Sequence, residues 1–395
     1  MRIVYVLLSP TFGMHQYTAD LANRVAAAGN SEVRLVTTPR VPRDRYSPLV
    51  HIHTPVTVTD TGLSPHALKL SHLRRVMKTI LSLKPSLVHF SGPHLWNTTL
   101  VRYLVRQGIP VIHTIHDLDP HRGTRFGLLL RLWNWTIIHS ADQILLHGDQ
   151  YRLRLLRRGV PAPKLSFTPL LHLFLGYEQA MKLSELERGE EIGALPITYE
   201  PFVLFFGRLE RYKGIDYLLT AFAQLTQQAT AVSAPPFKLV LAGTGKLPAL
   251  WPGSLPPGVE LRNRLIADHE AVELFSRCSL VVLPYMDATQ SALIPAAYFF
   301  RKPVLVTRVG ALAEYVQEER TGFVVEPGHP PSMARALAHA LADPSRLQAM
   351  GVAGRAWYDK TRAQETVVLL SLYERFANKH PLPAAAVSRQ LTVPS

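Results

Sequence analysis

Arg208 and Lys213 stand five residues apart in the segment VLFFGRLERYKGIDYL, residues 203–218, and two fixed cations at that spacing suit a diphosphate. The apolar run 203–206 reads as a strand buried on both faces, and Gly207 lets the backbone leave it sharply. Ligands of open α/β sheets lie beyond the carboxyl ends of the strands, so the strand delivers Arg208 to such a place. Lys213 precedes a helical pattern whose apolar positions Ile215, Leu218, Leu219 and Phe222 follow the 3.6-residue period. From these residues alone, two ordinary solvated charges beside a turn are an equally good reading.

The elements that must position them repeat through the chain. At 395 residues, with 47% hydrophobic and 18% charged residues, the chain is globular and long enough for two domains. Residues 3–8 read as a buried strand, 14–28 as a helix and 32–38 as a strand. Gly13 stands near that helix start without the full glycine triple of a dinucleotide site, so no nicotinamide cofactor is expected. Further strands are expected at 50–58, 87–90, 111–115 and 143–147, with helices at 65–83, 95–107 and 126–138. In the helix 65–83, capped by Ser64, Lys69, Arg74, Arg75 and Lys78 surround an apolar set that is either core or a rest for an anionic bilayer. Residues 169–196 look irregular. A second strand–helix series then runs through strands at 238–242, 281–284, 303–307 and 322–325, a helix ending near Leu341, another beginning near Asp343, and a last amphipathic helix over 363–379. Strands alternating with helices in both series predict an α/β fold of two Rossmann-like parallel sheets.

Charge separates the two series. Residues 1–175 hold 21 Lys+Arg against 8 Asp+Glu, and the remainder 22 against 21, so the excess of +13 belongs to the first part and points to an anionic partner. Arg152, Arg154, Arg157 and Arg158 cluster without interleaved aromatics or a helix-turn-helix spacing, which ranks nucleic acid low. No run of about 18 apolar residues is present, and the first strand is too short to span a membrane, so a cytoplasmic protein is expected. The single cysteine, Cys278, reads as a core thiol, and the histidines show no zinc spacing, so no metal site is expected.

With both series read, the chain resembles the retaining GT-B glycosyltransferases of the large family-four group. The likeness rests on GRLERYKGIDYLL, LAGTGKLP, PYMDATQSALIPAAYFFRKPVLVTRVGALAEYV, TGFVVEPG and HTIHDLDPH. It implies an acceptor-binding domain over 1–190, a nucleotide-sugar domain over 191–360, a helix over 361–380 that crosses back, and a flexible tail over 381–395. Two domains face across a cleft in this family, and a sugar passes from a nucleoside-diphosphate sugar to a hydroxyl acceptor, without a cofactor. By the resemblance, Arg208 and Lys213 bind the diphosphate, His116 points into the cleft near the sugar, and Gly13 with Gly207 lets backbone approach the donor. A structural pairing of His116 with Asp117 competes with that role. Main chain around Arg264 and Leu265 meets the base. The basic first part implies an acceptor that is lipid-linked or a polysaccharide precursor, with peripheral contact at the inner membrane face.

The chain also departs from the pattern. The family carries two glutamates eight positions apart, where this sequence has Ala288 and Ala296. Polar recognition then falls to Asp287, Thr289, Gln290 and Ser291, and the amides of a helix opening near 289–293 are expected to receive a phosphate. Glu314 reads first as a helix-start charge. Asp117-Leu118-Asp119, with His121 near, formally matches the metal-binding triplet of the other glycosyltransferase fold, against which the two similar halves argue. The missing glutamates keep two alternatives open: a catalytically silent sugar-nucleotide binder, or an epimerase on the same scaffold.

Overall fold

The computed structural model describes residues 1–57, 69–118, 127–188, 197–229, 237–247, 251 and 253–379. Among them are two wholly parallel sheets. The first contains β1 (Arg2–Leu7), β2 (Glu32–Thr37), β3 (Val50–His53), β4 (Leu87–Phe90), β5 (Val111–Ile115), β6 (Gln143–Leu146) and β7 (Leu165–Phe167), in the order β3-β2-β1-β4-β5-β6-β7. The second contains β8 (Phe202–Phe206), β9 (Lys238–Ala242), β10 (Val259–Arg262), β11 (Leu280–Leu283), β12 (Val304–Thr307) and β13 (Gly322–Val325), in the order β10-β9-β8-β11-β12-β13. Both orders reverse direction beside their first strand, at β1/β4 and at β8/β11, and such a switch point opens a crevice at the strands' carboxyl ends. Residues Val203, Leu204 and Phe205 of β8 are wholly buried, with Val203 in register with Leu239 and Leu280. The expected fold class is therefore borne out, and Cys278 lies in the core of the second half.

Helices α1 (Phe12–Ala27), α2 (Leu70–Ser82), α3 (Asn97–Arg106), α4 (Gly127–Ser140) and α5 (Asp149–Arg157) serve the first sheet. Then follow α6 (Tyr177–Arg188), α7 (Ile215–Ala229), α8 (Asp268–Arg277), α9 (Leu293–Phe299), α10 (Pro330–Leu341) and α11 (Pro344–Lys379). Three expectations need correction. Part of the stretch read as irregular is α6, a polar helix that commits Leu183 to the core. β7 and β10 are short strands at the edges of their sheets, where few apolar residues mark them. The two final helices are one continuous 36-residue helix, since Gly351 and Gly354 pack tightly without breaking it. The interval around residue 190, the start of the helix expected at 65, and the tail from 381 lie outside the described residues.

α11 ties the halves together. Its last turns place Leu369, Leu372, Tyr373 and Phe376 in the core cluster of the first sheet. Tyr373 Oη lies 2.9 Å from Tyr5 Oη and 2.6 Å from His89 Nδ1. Arg362 donates to Asp20 at 2.5 Å, Arg24 donates to Asp20 at 3.0 Å, and Arg24 also pairs with Glu365. Burial alone would raise the Asp20 carboxyl, but the Arg362 and Arg24 guanidiniums hold it well below the usual carboxylate range. α2 turns its apolar stripe inward, with Val76 and Ile80 buried and Leu73, Met77 and Leu81 on the core, so of the two readings of that helix the core one holds.

Candidate active site

β8 runs out into Gly207, whose φ of +119° few side chains tolerate, and a Cβ there would stand 2.8 Å from Lys213 Nζ. The lysine therefore lies directly over the glycine, and a side chain at 207 would displace its ammonium. Lys213 closes the 3₁₀ turn Arg211–Lys213, and Gly214, at φ +63°, lets the chain pass so near Pro284 that a Cβ would stand 2.0 Å from its carbonyl oxygen. Lys213 is only 9% exposed; its Nζ is 5.1 Å from the Tyr285 ring centroid, and among the described residues no carboxylate pairs with it. Arg208 differs: its side chain is 67% exposed and donates to Glu210 Oε1 at 2.6 Å. The sequence treats the two cations alike, whereas the fold buries one with no carboxylate partner among the described residues and leaves the other screened.

The loop after β11 is fastened to this turn. Met286 N and Asp287 N donate to the Tyr212 carbonyl at 2.7 and 3.3 Å. The Thr289 carbonyl accepts from Ala311 N at 2.9 Å and from Tyr151 Oη, of the first half, at 3.4 Å. Gly310, at φ +49°, is so close that a Cβ would stand 1.8 Å from the Ala288 oxygen. Ala288 and Ala296 are buried and supply no carboxylate. Gln290 Oε1 is buried with no hydrogen-bond partner among the described residues, so a donor from a ligand would relieve it. Asp287 and Ser291 are half-buried, and Ser291 Oγ accepts from Leu293 N at 3.3 Å. That bond and Pro295, which has no N–H, remove two donors from the first turn of the seven-residue α9, so the helix start offers less to a phosphate than expected.

Arg264 and Leu265 follow β10, two strands from β8, and are not brought against Lys213. Arg264 forks onto Glu270 at 2.6 and 2.7 Å, and Leu265 is 84% exposed. Asn263 steadies this loop by exchanging two 3.0 Å hydrogen bonds with Gly245.

At the matching end of the first sheet, α1 begins at Phe12, so Gly13 lies inside its first turn, exposed, with open space where a Cβ would point. The fold does not itself require glycine there. His116 follows β5 and is buried; its Nε2–H donates to the Ser91 carbonyl at 2.9 Å, which leaves Nδ1 as an acceptor. Burial lowers its pKa against the opposing pulls of that hydrogen bond and of the Asp117 charge, so the ring is neutral near pH 7. Its ring lies 4.8 Å from Tyr17 and 4.9 Å from His147, centroid to centroid. His147 Nε2 and His172 Nδ1 are buried without partners among the described residues. Sequence reasoning missed both; the one available signal was that His147 directly follows a parallel strand.

Glu314 is a helix-start charge of an unexpected kind. Its carboxylate accepts from Asp149 N and Gln150 N, at 2.7 and 3.2 Å, and so caps α5 of the opposite half. Tyr315 Oη beside it accepts from Leu170 N at 2.8 Å and donates to the His147 carbonyl at 2.7 Å. Asp119 of the acidic triplet and the nearby His121 lie outside the described residues, and among the described residues no three His, Cys, Asp or Glu side chains converge as for a metal.

Residues 12–170 match the family described as glycosyl transferase 4-like domain, and residues 200–343 match glycosyl transferases group 1. Among curated relatives, the D-inositol 3-phosphate glycosyltransferase of Gordonia bronchialis is 24% identical over 96% of this chain and 88% of its own. The alpha-maltose-1-phosphate synthase of Mycolicibacterium smegmatis is 25% identical over 66% of this chain and 72% of its own. Similar solved folds include sucrose-phosphate synthase from Thermosynechococcus elongatus, with TM-score 0.70 and 20% identity over 96% of this chain and all of that one. HepE of Anabaena, solved with UDP and glucose, has TM-score 0.66 and 16% identity over 96% of this chain and all of its own. Two doubly wound sheets joined by a returning helix, with a family match in each half, make this chain a member of the group 1 glycosyltransferases of the GT-B fold.

Proposed function

We propose that this glycosyltransferase is a retaining hexosyltransferase, moving a sugar from a nucleoside-diphosphate sugar to a hydroxyl acceptor that is lipid-linked or a polysaccharide precursor. The observation that carries the reading is Lys213, a buried cation without a carboxylate among the described residues, at the switch point of the second sheet. As the bond from the anomeric carbon to phosphate breaks, the departing diphosphate gains negative charge, which Lys213 and Arg208 stabilise. The acceptor oxygen bonds to that carbon on the same face and passes its proton to the departing phosphate. This route asks for no carboxylate nucleophile, consistent with alanine at 288 and 296.

Neutral His116 accepts from a sugar hydroxyl through Nδ1, and Gln290 Oε1 takes a second hydroxyl. Gly13 leaves room for the donor, while Gly207, Asp287, Thr289 and Ser291 shape its other side and main chain at Arg264 and Leu265 meets the base. That HepE was solved with UDP and glucose supports trying uridine donors first. The basic first half supports an anionic or membrane-borne acceptor and peripheral residence on the cytoplasmic face; among the described residues no helix is long and apolar enough to cross a membrane. The test is nucleotide release across a panel of donors, with the anomeric configuration of the product read by NMR. Inversion removes the retaining mechanism. The two buried alanines favour a second reading, a silent donor-binding protein, which thermal stabilisation by a nucleoside diphosphate without turnover of any donor would select.

A further inference from the structure

We propose that the outer face of α4 seats the protein on an anionic phospholipid bilayer. The helix reads GLLLRLWNWTIIHS and is apolar around nearly its whole circumference, a composition expected of a helix covered on all sides or resting on lipid. Its inner face is used: Trp133 and Ile137 lie in the core, and Trp133 Nε1 donates to the His94 carbonyl at 3.2 Å. Its outer face is uncovered by the described residues. Leu129, Leu132 and Trp135, at three-residue spacing, are 42, 59 and 56% exposed.

A groove of about 450 Å³ runs from this face toward α5, with Ile138 and Leu155 as apolar lining and Arg131 and Arg158 beside Trp135. Arg102 and Arg106 of the adjacent α3 and Arg157 of α5 are also exposed. Apolar side chains ringed by guanidiniums, on a half of the chain with an excess of +13, complement a surface that is apolar beneath and phosphate-bearing above. The arginines would stand at headgroup level while Leu132 and Trp135 enter the acyl boundary. The same groove reaches toward the candidate site: Asn134, which lines it with Leu118, donates through Nδ2 to the carbonyls of Asp117 and Leu118, both at 2.9 Å, in the segment that directly follows His116. A lipid-borne acceptor would thus be held beside His116 by the helix that rests on the lipid. This last step rests on the acceptor proposed above, whereas the seat does not.

The test is co-sedimentation of the full chain with phosphatidylcholine vesicles with and without phosphatidylglycerol, at physiological salt. Binding to the anionic vesicles is expected. Leu132→Glu/Trp135→Glu is expected to weaken it at least about tenfold, and Arg131→Gln/Arg158→Gln to abolish the preference for anionic lipid. Donor hydrolysis in solution should be unchanged in both. If the glutamate pair lowers the melting temperature, Leu132→Gln/Trp135→Gln replaces it. Wild-type protein left in the supernatant, equal binding to both vesicles, or a self-association in sedimentation velocity that the same substitutions abolish would overturn the proposal. Vesicle binding without turnover of any donor would instead count against the transferase reading and leave the seat standing.

Discussion

Replacing Lys213 by methionine keeps the length of the side chain and removes its charge. Two unit charges about 4 Å apart interact by roughly 4 kcal/mol at an effective dielectric constant of about 20. A leaving diphosphate that has gained about half a charge in the transition state therefore loses about 2 kcal/mol, or roughly thirtyfold in rate, and up to about a hundredfold where the site excludes water further. Arg208 offers less, because its guanidinium is two-thirds exposed and already engaged by Glu210 at 2.6 Å; Arg208→Ala should cost about tenfold or less. The ordering is specific to this fold, since the sequence gives no ground to rank the two cations. Steady-state release of nucleoside diphosphate under saturating donor reads it as kcat. A Lys213→Met enzyme within about threefold of wild type, or an Arg208→Ala enzyme more impaired than it, refutes the electrostatic argument.

Acid should unfold this protein early. Burial lowers the pKa of His15 and His172 to about 4 and of His89 and His113 to about 3, so the native state stays neutral where the unfolded chain takes up protons. Their contribution is complete above the unfolded pKa of about 6.5 and falls below it by about 1.4 kcal/mol per pH unit for each histidine. The urea midpoint should therefore drop steeply between about pH 6 and pH 5; a flat profile refutes the neutral cluster. Asp20→Ala leaves the half-buried Arg362 without its carboxylate and Arg24 with Glu365 alone, and should cost about 3 kcal/mol in denaturant unfolding. Gly310→Ala, at φ +49° with 1.8 Å to the Ala288 oxygen, should cost at least about 2 kcal/mol, and an unchanged melting temperature would show that the loop is not boxed as described.

Strands such as Phe202–Phe206, Leu280–Leu283 and Val304–Thr307 were legible because a parallel strand covered on both faces reads as a near-continuous apolar run, and their alternation with helices dictates a doubly wound sheet. The turn around Gly207 was legible for a similar local reason: a cation directly after such a strand has one place to go. The edge strands β7 and β10 were not, since half their surface faces water and their apolar signal halves with it. Nor was the length of α11, whose two glycines suggest a break until their close packing is seen.

The sequence by itself therefore determined the class of fold, the pairing of its two halves and the positions of Arg208, Lys213 and His116 at the ends of strands. Tertiary structure decided what each of these groups can do. It buried Lys213 with no carboxylate partner among the described residues and gave Arg208 to Glu210, fixed the His116 tautomer against Ser91, and spent Glu314 on the first turn of α5 in the other half. It also turned the stripe of α2 inward and left Leu132 and Trp135 of α4 bare. Periodicity states which residues share a face, but charge, protonation and exposure depend on the surface that meets that face, and that surface comes from distant parts of the chain.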